Sequence, residues 1–402
     1  MGLIVQKFGG SSVSDTHHLF NVAKKIIPFY KTGNDVIIVV SAQGDTTDNL
    51  IKLANEVNSN ASKREMDALI STGEQISASL LAMALQSLQI PAISLTGWQA
   101  GFKTDSMYSS AKILEINTER IKKELEKKNV VIVTGFQGIN SSNDITTFGR
   151  GGSDTSAVAI AGAMKADVCK IYTDVDGVYT ADPRIVASAK KLEFISYEEM
   201  FKLSSLGAQV MNDVSIETAQ KSGVEIEVLS SMKTNSKGTI IKNTDINNCV
   251  SGIAVEKNMI KVSITGIKDI KEKILQNLVS KTLVKDINLV STGNKNPEVT
   301  SFLIDSAKLS ETLHSLELLL KECNQKEIFY EKDKCKISVV NLSESVNVNI
   351  ASVVFETLHE SNINIEMAAC DNTRVSVVIN SDDLYRAMND IHNKLFEEDY
   401  LL

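Results

Sequence analysis

No unbroken apolar run in this chain is long enough to span a bilayer. Apolar runs such as Val36–Val40 fall far short of the ~20 residues that a membrane helix needs. The opening residues, Met1-Gly-Leu-Ile-Val-Gln-Lys7, lack the long apolar core of a signal peptide, and Gln6 stands where a myristoylation signal has Ser or Thr. Cysteine is sparse: Cys169, Cys249, Cys323, Cys335 and Cys370 are widely spaced and contain no Cys-x-x-Cys pair, so neither a disulfide framework nor a zinc site is expected. The five histidines, His17, His18, His314, His359 and His392, form no His-Glu-x-x-His pattern. An excess of basic charge is missing as well. With 42 basic against 50 acidic residues the net charge is -8, which argues against a chain built to neutralise phosphate backbones. These absences lead us to expect a soluble, cytoplasmic protein of a reducing compartment.

What is present is an ordinary globular balance, 43% hydrophobic and 23% charged, over 402 residues. That length suggests two or three domains at roughly 150 residues each. Over the first ~240 residues, short β-branched runs alternate with helical patterns, the signature of an α/β domain with a mostly parallel sheet. Leu3–Phe8, Val36–Ser41, Val130–Thr134, Val168–Thr173 and Glu225–Leu229 read as strands buried on both faces. Helical spacing recurs from Leu19 to Ile27 and from Met66 to Leu88.

The texture turns polar between Ser230 and Asn248, and an internal repeat follows. Lys261–Ile267 matches Lys336–Leu342, Asp286–Val290 matches Asn362–Glu366, and Ser301–Ile304 matches Ser376–Ile379, at an offset of 75 or 76 residues. Each copy reads strand, helix, strand, strand, helix, the order of a ferredoxin-like α+β unit. We therefore expect domains at 1–242, 258–333 and 334–402. The second copy lacks a final strand, and 249–257 is the candidate to supply it.

Three glycine-rich segments stand beside expected strands. In Lys7-Phe-Gly-Gly-Ser-Ser-Val13, Gly9 and Gly10 leave their amides open to a phosphate, with Lys7 as a point charge and Asp15 as a cap for the next helix. A tight turn with a surface lysine fits the same residues. In Thr146-Thr-Phe-Gly-Arg-Gly-Gly-Ser-Asp154, a helix start capped by Ser153 or Asp154 would offer amides and Arg150 to an anion. This loop departs from the dinucleotide pattern Gly-x-Gly-x-x-Gly, because Asp154 stands where the last glycine should be. In Tyr172-Thr-Asp-Val-Asp-Gly-Val-Tyr-Thr-Ala-Asp-Pro-Arg184, Asp174 and Asp176 resemble the start of a calcium loop that is not completed, while Tyr179 could stack on a base and Arg184 reach a phosphate. Taken alone, this third segment is also an ordinary turn cluster.

Together the three segments, with Ser41-Ala-Gln-Gly-Asp-Thr-Thr-Asp48, Ser71-Thr-Gly-Glu74 and Gly135-Phe-Gln-Gly138, resemble the aspartate kinases of the amino-acid kinase superfamily over nearly the whole chain. The repeated C-terminal units stand where that family carries two ACT domains, which bind regulatory amino acids. The resemblance implies an amino-acid kinase fold followed by two ferredoxin-like ACT domains. It also implies transfer of phosphate from ATP to the side-chain carboxylate of L-aspartate, the entry step to lysine, threonine and methionine synthesis. Carried over residue by residue, Lys7 would act on the transferring phosphoryl group and Asp154 would order the catalytic groups. Thr47, Glu74, Arg150 and Ser153 would hold aspartate, Glu74 at the α-ammonium and Arg150 at the α-carboxylate. Lys7, Gly9, Gly10, Ser11, Ser41, Thr173, Asp174, Tyr179, Arg184 and Gln209 would line the nucleotide pocket, with Mg2+ held through the phosphates rather than by a protein metal site. Asp286, Ile287 and Asn288 would contribute to an effector site for lysine, threonine or both. A homodimer or higher homo-oligomer is expected, since ferredoxin-like units often pair edge to edge.

Such chemistry needs no strong base, because a carboxylate is already nucleophilic at neutral pH; the lack of a Ser-His-Asp or Cys-His set agrees with this. There are departures: Gln209 stands where the family usually has lysine, and neither repeat has the Pro-Gly turn common in ACT domains. A glutamate or acetylglutamate kinase is the nearest alternative, and a non-catalytic ACT sensor the alternative of another class. Glu74 with Arg150 suits an amino acid whose two α groups are both unmasked. The lysines of 122–128 read as a solvated helix face, Met164 and Met200 as core filler, and Trp98 as either a packing residue or a neighbour of the substrate loop.

Overall fold

Twelve strands build the first part of the molecule: Leu3–Phe8 (β1), Asp35–Val40 (β2), Ala92–Leu95 (β3), Phe102–Thr104 (β4), Ile113–Ile116 (β5), Val130–Thr134 (β6), Gln137–Ile139 (β7), Ile145–Thr147 (β8), Val168–Thr173 (β9), Phe194–Ser196 (β10), Ile226–Ser230 (β11) and Thr239–Lys242 (β12). Eight of them form one sheet in the order β10-β12-β11-β9-β1-β2-β6-β3, parallel except where β11 meets β12; β5-β4-β7-β8 form a second, smaller sheet. The computed structural model describes residues 2–233, 237–244, 250–265, 271–280, 290–291, 299–320, 327–342 and 347–397. Its chain divides into two units, one of Met1–Val178, Lys191–Ser204 and Gln209–Asp245, the other of Tyr179–Lys190, Ser205–Ala208 and Ile246–Leu402.

In the first unit, eight helices intervene: Thr16–Lys31 (α1), Thr46–Val57 (α2), Lys63–Ile70 (α3), Thr72–Ser87 (α4), Glu119–Glu126 (α5), Gly152–Met164 (α6), Tyr197–Ser205 (α7, whose last residue falls in the second unit) and Asp213–Ser222 (α8). Burial of Val36 through Val40 explains their unbroken apolar run: β2 lies inside the sheet with both faces covered. One face packs against α1 and α4 through Phe8, Leu19, Val22, Ile26, Ile38, Leu81 and Leu85. On the other, α6 packs over β1, β2 and β9 with a helix of small residues. The 66–88 periodicity is interrupted at Ser71, which ends α3 and precedes α4. Lys63–Ser87 is long and apolar enough to cross a membrane by length and composition, but Ala78, Leu81 and Leu85 are core residues of this unit.

Strand order runs one way from β1 through β2 to β6 and the other way from β9 to β11, so the direction of winding reverses between β1 and β9. Open parallel sheets bind ligands at the carboxyl ends of the strands beside such a switch point. Lys7 is in register there with Val39 and Ile171.

The second unit contains Gly252–Ile264 (β13), Val290–Ser291 (β14), Thr300–Asp305 (β15), Ile328–Val340 (β16), Met367–Asp371 (β17) and Arg374–Asn380 (β18), in the order β14-β17-β18-β16-β13-β15. The helices are Lys271–Ser280 (α9), Leu309–Leu320 (α10), Asn347–Glu360 (α11) and Leu384–Phe396 (α12). β13 and β16 are 13-residue strands that pair along their length but are broken near Asn258 and Asp333, both with positive φ. Met259–Ile264 pairs with β15 and, at 261–264, with Ile328–Glu331, whereas Gly252–Glu256 pairs with Lys336–Val340, which in turn pairs with β18. Each repeat thus receives its last strand from a chain segment that also serves the other. Met259, Leu303, Met367, Ala369 and Val378, from β13, β15, β17 and β18, form a separate apolar cluster on this sheet.

The segment 179–190 is built into this unit by α12. His392 Nε2 meets Thr180 Oγ1 at 2.9 Å, its Nδ1 meets Ser188 Oγ at 3.2 Å, and Asn389 Nδ2 donates to Ile185 O at 3.1 Å. Asp286, Ile287 and Asn288, the expected effector residues, lie outside the described residues.

Candidate active site

Four neighbouring parallel strands end at the same edge of the sheet and deliver the motif residues. Lys7 is the last residue but one of β1; Ser41 follows β2; Gly135 follows β6; Thr173 closes β9. Lys7 Nζ lies 2.7 Å from Asp154 Oδ1, both side chains about one-eighth exposed (12% and 13%). Distance makes this an ion pair, although Asp154 Oδ1 lacks hydrogen-bond alignment to any partner among the described residues. Asp154 is in the first turn of α6, where a carboxylate also complements the helix dipole.

Glycines are demanded here by close approach. A Cβ on Gly10 would fall 2.7 Å from Ala42 O, and Gly44 N donates to Gly10 O at 3.1 Å, so the loops after β1 and β2 touch backbone to backbone. Gly9 has an ordinary φ of -73° and room for a Cβ, so local sterics alone do not require it. Ser11 is exposed in the 3-10 turn 10–13, which precedes α1; Asp15 caps that helix by accepting from His18 N at 2.8 Å. The α6 start differs from the sequence expectation. Its N-cap is Gly151, left-handed at φ 72°, and Ser153 and Asp154 belong to the first turn instead of capping it. A side chain at Gly151 would strike Asn212, whose Nδ2 donates to Arg150 O at 2.9 Å.

Arg150 itself is exposed, and no carboxylate of the described residues pairs with its guanidinium. Ser153 is buried against Gly135. Thr47 is half-buried in the first turn of α2. Glu74, 3% exposed in the first turn of α4, accepts from Ala42 N at 3.1 Å through Oε1, while Oε2 has no hydrogen-bond partner among the described residues. Burial pushes its carboxyl up to about 7.

Thr173 Oγ1 donates to Asp174 Oδ1 at 2.9 Å, leaving Asp174 exposed, and Asp176 pairs with Lys233 at 2.8 Å. Gln209 is an exposed turn residue of the first unit. Lys7, Gly9, Gly10, Ser11, Ser41, Thr47, Glu74, Arg150, Ser153, Asp154, Thr173, Asp174 and Gln209 all fall in that unit; Tyr179 and Arg184 fall in the second. There Asp182 accepts from Arg184 Nε at 2.9 Å; burial works to raise its carboxyl, but the guanidinium and backbone N–H of Arg184 outweigh it and hold the group below its usual range.

Two supporting residues escaped the sequence reading. Asn212 caps α8 with its Oδ1 while holding Arg150 O. Asp67 is fully buried in α3 and accepts four hydrogen bonds from Ser109 and Thr147. In sequence it looks like any charged residue of an amphipathic helix.

The family model described as amino acid kinase family matches residues 2–230, and an ACT domain model matches 337–395. The aspartokinase of Geobacillus stearothermophilus is 42% identical over 98% of this chain and 97% of its own. E. coli aspartokinase III solved in complex with aspartate and ADP (R-state) superposes with a TM-score of 0.81 at 21% identity, covering 98% of this chain and all of that one. The same protein with lysine and aspartate (T-state) gives 0.75 at 22% identity over equal coverage. At such identities these two structures show the shared fold, and the close relative shows the family. The chain belongs to the amino acid kinase family, and within it to the aspartokinases.

Proposed function

We infer that this chain transfers the γ-phosphoryl group of ATP to the side-chain carboxylate of L-aspartate. An aspartate carboxylate oxygen forms the new bond to phosphorus, the bond from phosphorus to the β,γ-bridging oxygen breaks, and ADP leaves with that electron pair. No proton has to move. Lys7, with the amides near Gly9 and Gly10, stabilises charge on the transferring group, and Asp154 holds the Lys7 ammonium in place. Ser11, Ser41, Thr173, Asp174, Tyr179, Arg184 and Gln209 form the nucleotide side of the reading, while Thr47, Arg150 and Ser153 join Glu74 on the aspartate side. Mg2+ takes oxygen ligands, often few of them from protein. It fits as an ion carried on the phosphates, where the exposed Asp174 carboxylate offers a suitable donor and the ion would offset phosphate charge.

Glu74 carries the substrate assignment. A buried carboxylate with one oxygen on an amide and the other unpartnered asks for a cation, and the α-ammonium of an unmodified amino acid supplies it. An N-acylated substrate would not. Arg150, exposed and without a carboxylate partner among the described residues, suits the α-carboxylate as a bidentate donor. The E. coli enzyme was solved with aspartate and ADP and with lysine and aspartate, which supports the same substrate here and lysine as a regulator. The remaining parts of the reading are a cytoplasmic, homo-oligomeric enzyme and an effector site that includes Asp286, Ile287 and Asn288. The test is ADP release with aspartate, glutamate and N-acetylglutamate in turn. Turnover with aspartate alone is expected; turnover with N-acetylglutamate would reverse the role of Glu74, and none with any substrate would leave a sensor.

A further inference from the structure

We propose that Asp67 is the positioning residue of the Arg150 loop, and that its hydrogen bonds set the affinity for the amino-acid substrate. The inference rests on the assignment of Arg150 to the substrate α-carboxylate. Asp67 lies in α3 with no exposed surface. Its Oδ2 accepts from Ser109 N at 2.8 Å and Thr147 N at 2.9 Å, and its Oδ1 from Ser109 Oγ and Thr147 Oγ1, each at 3.0 Å. All four donors are amides or hydroxyls, and no cation of the described residues pairs with it. One carboxylate therefore holds two loops at once.

Both loops bear on Arg150. Thr147 closes β8 three residues before it. Ser109 sits at φ 67°, a conformation a serine rarely adopts, and its carbonyl oxygen lies 3.2 Å from where a Cβ on Gly149 would be. Ala111 N donates to Thr147 O at 2.9 Å, which closes the connection between the two loops. One turn before Asp67, on the same side of α3, Arg64 binds Asp144 at 2.9 Å, and Tyr108 OH donates to the other oxygen of Asp144 at 2.9 Å. Helix α3 thus holds Ser109 directly and, through Asp144, its neighbour Tyr108. A carboxylate takes all four groups as donors; an asparagine could keep both amides on its oxygen only by turning its NH2 group to the two hydroxyls, which would then have to accept instead of donate. Loops that carry a substrate clamp need such fixing, since a shift of about 1 Å can lower a rate about a hundredfold.

The experiment is steady-state kinetics with aspartate and Mg-ATP on the full chain, for wild type, Asp67→Asn and Thr147→Val. Asp67→Asn should raise KM for aspartate about tenfold or more while KM for ATP stays within about twofold, and kcat should fall by less than KM rises. Thr147→Val, which removes one hydroxyl donor and keeps the amide, should raise KM for aspartate by about threefold. A lowered melting temperature with unchanged KM for aspartate would make Asp67 merely structural and overturn the proposal. An equal rise in KM for ATP would overturn it as well. If Asp67→Asn does not fold, Thr147→Val decides: unchanged KM for aspartate is then the refuting result. Wild-type protein with no aspartate-dependent turnover would instead remove the functional reading on which the proposal stands.

Discussion

Lys7 and Glu74 divide the chemistry by what surrounds them. The Lys7 ammonium already has a carboxylate at 2.7 Å, so it is held in place before substrate arrives. A charge of that kind acts mainly on the transition state. Lys7→Ala should lower kcat over a hundredfold, a cost of about 3 kcal/mol or more, with a much smaller change in KM for aspartate. Near-normal kcat in a folded variant would end this role. Glu74 is different: in the proposed reading, the partner of its unpaired oxygen comes with the substrate. Its carboxyl is raised to about 7, so below that pH the site must give up a proton to bind an ammonium. KM for aspartate should therefore rise about tenfold per pH unit below 7 and level off above it, and Glu74→Gln should remove that slope. Folding stability moves the opposite way. The neutral acid is favoured in the folded protein, so its contribution is complete below about pH 4.5, falls as pH rises, and is gone above 7. The loss is about 3 kcal/mol in total. Urea unfolding at pH 5 and 8 for wild type and Glu74→Gln checks the sign, and equal differences in the two proteins would refute it.

At the scale of elements, the start of α6 is where local backbone and site meet. Gly151 at φ 72° lets the chain turn from the Arg150 loop into the helix, and there is no space for a Cβ beside Asn212. Gly151→Ala should cost about 1–2 kcal/mol from the left-handed conformation alone, and more from the clash. It should also weaken aspartate binding, because Asn212 holds Arg150 O. Thermal melting together with aspartate titration separates the two effects; unchanged melting and titration would show that the turn tolerates a side chain. Much of this architecture was legible. Leu3–Phe8, Val130–Thr134 and Val168–Thr173 were read with their observed bounds, because strands buried on both faces announce themselves as apolar runs. The α6 cap was misread because Ser and Asp are strong capping residues, and only the positive φ of Gly151 places the boundary earlier. The β5-β4-β7-β8 sheet was not seen at all: its strands have three or four residues, too short for any periodicity. Asp67 was invisible for a related reason, since its four donors are 42 and 80 residues away in sequence.

For the molecule as a whole, the two repeats cannot act separately, because β13 and β16 each run through both halves of the second unit. A ligand that reshapes either half works on strands shared by the other. The same unit also contains 179–190, held through His392, Ser188 and Asn389, and this segment begins five residues after Asp174 in the Thr173–Arg184 motif. The chain therefore runs directly from the Thr173–Arg184 segment, proposed to face the nucleotide, into the unit that holds the ACT match at 337–395. If lysine binds an inactive arrangement better, a coupling of about 1–3 kcal/mol would shift the apparent affinity for aspartate 5- to 150-fold. Linkage makes this reciprocal: saturating aspartate should weaken lysine binding by the same factor. We expect lysine, alone or with threonine, to inhibit the wild type, and Asp286→Ala to relieve the inhibition with uninhibited kcat nearly unchanged. Inhibition curves at fixed aspartate and ATP for both proteins are the measurement. Superimposed curves would remove Asp286 from the effector site, and no response to lysine, threonine or methionine would defeat feedback control itself.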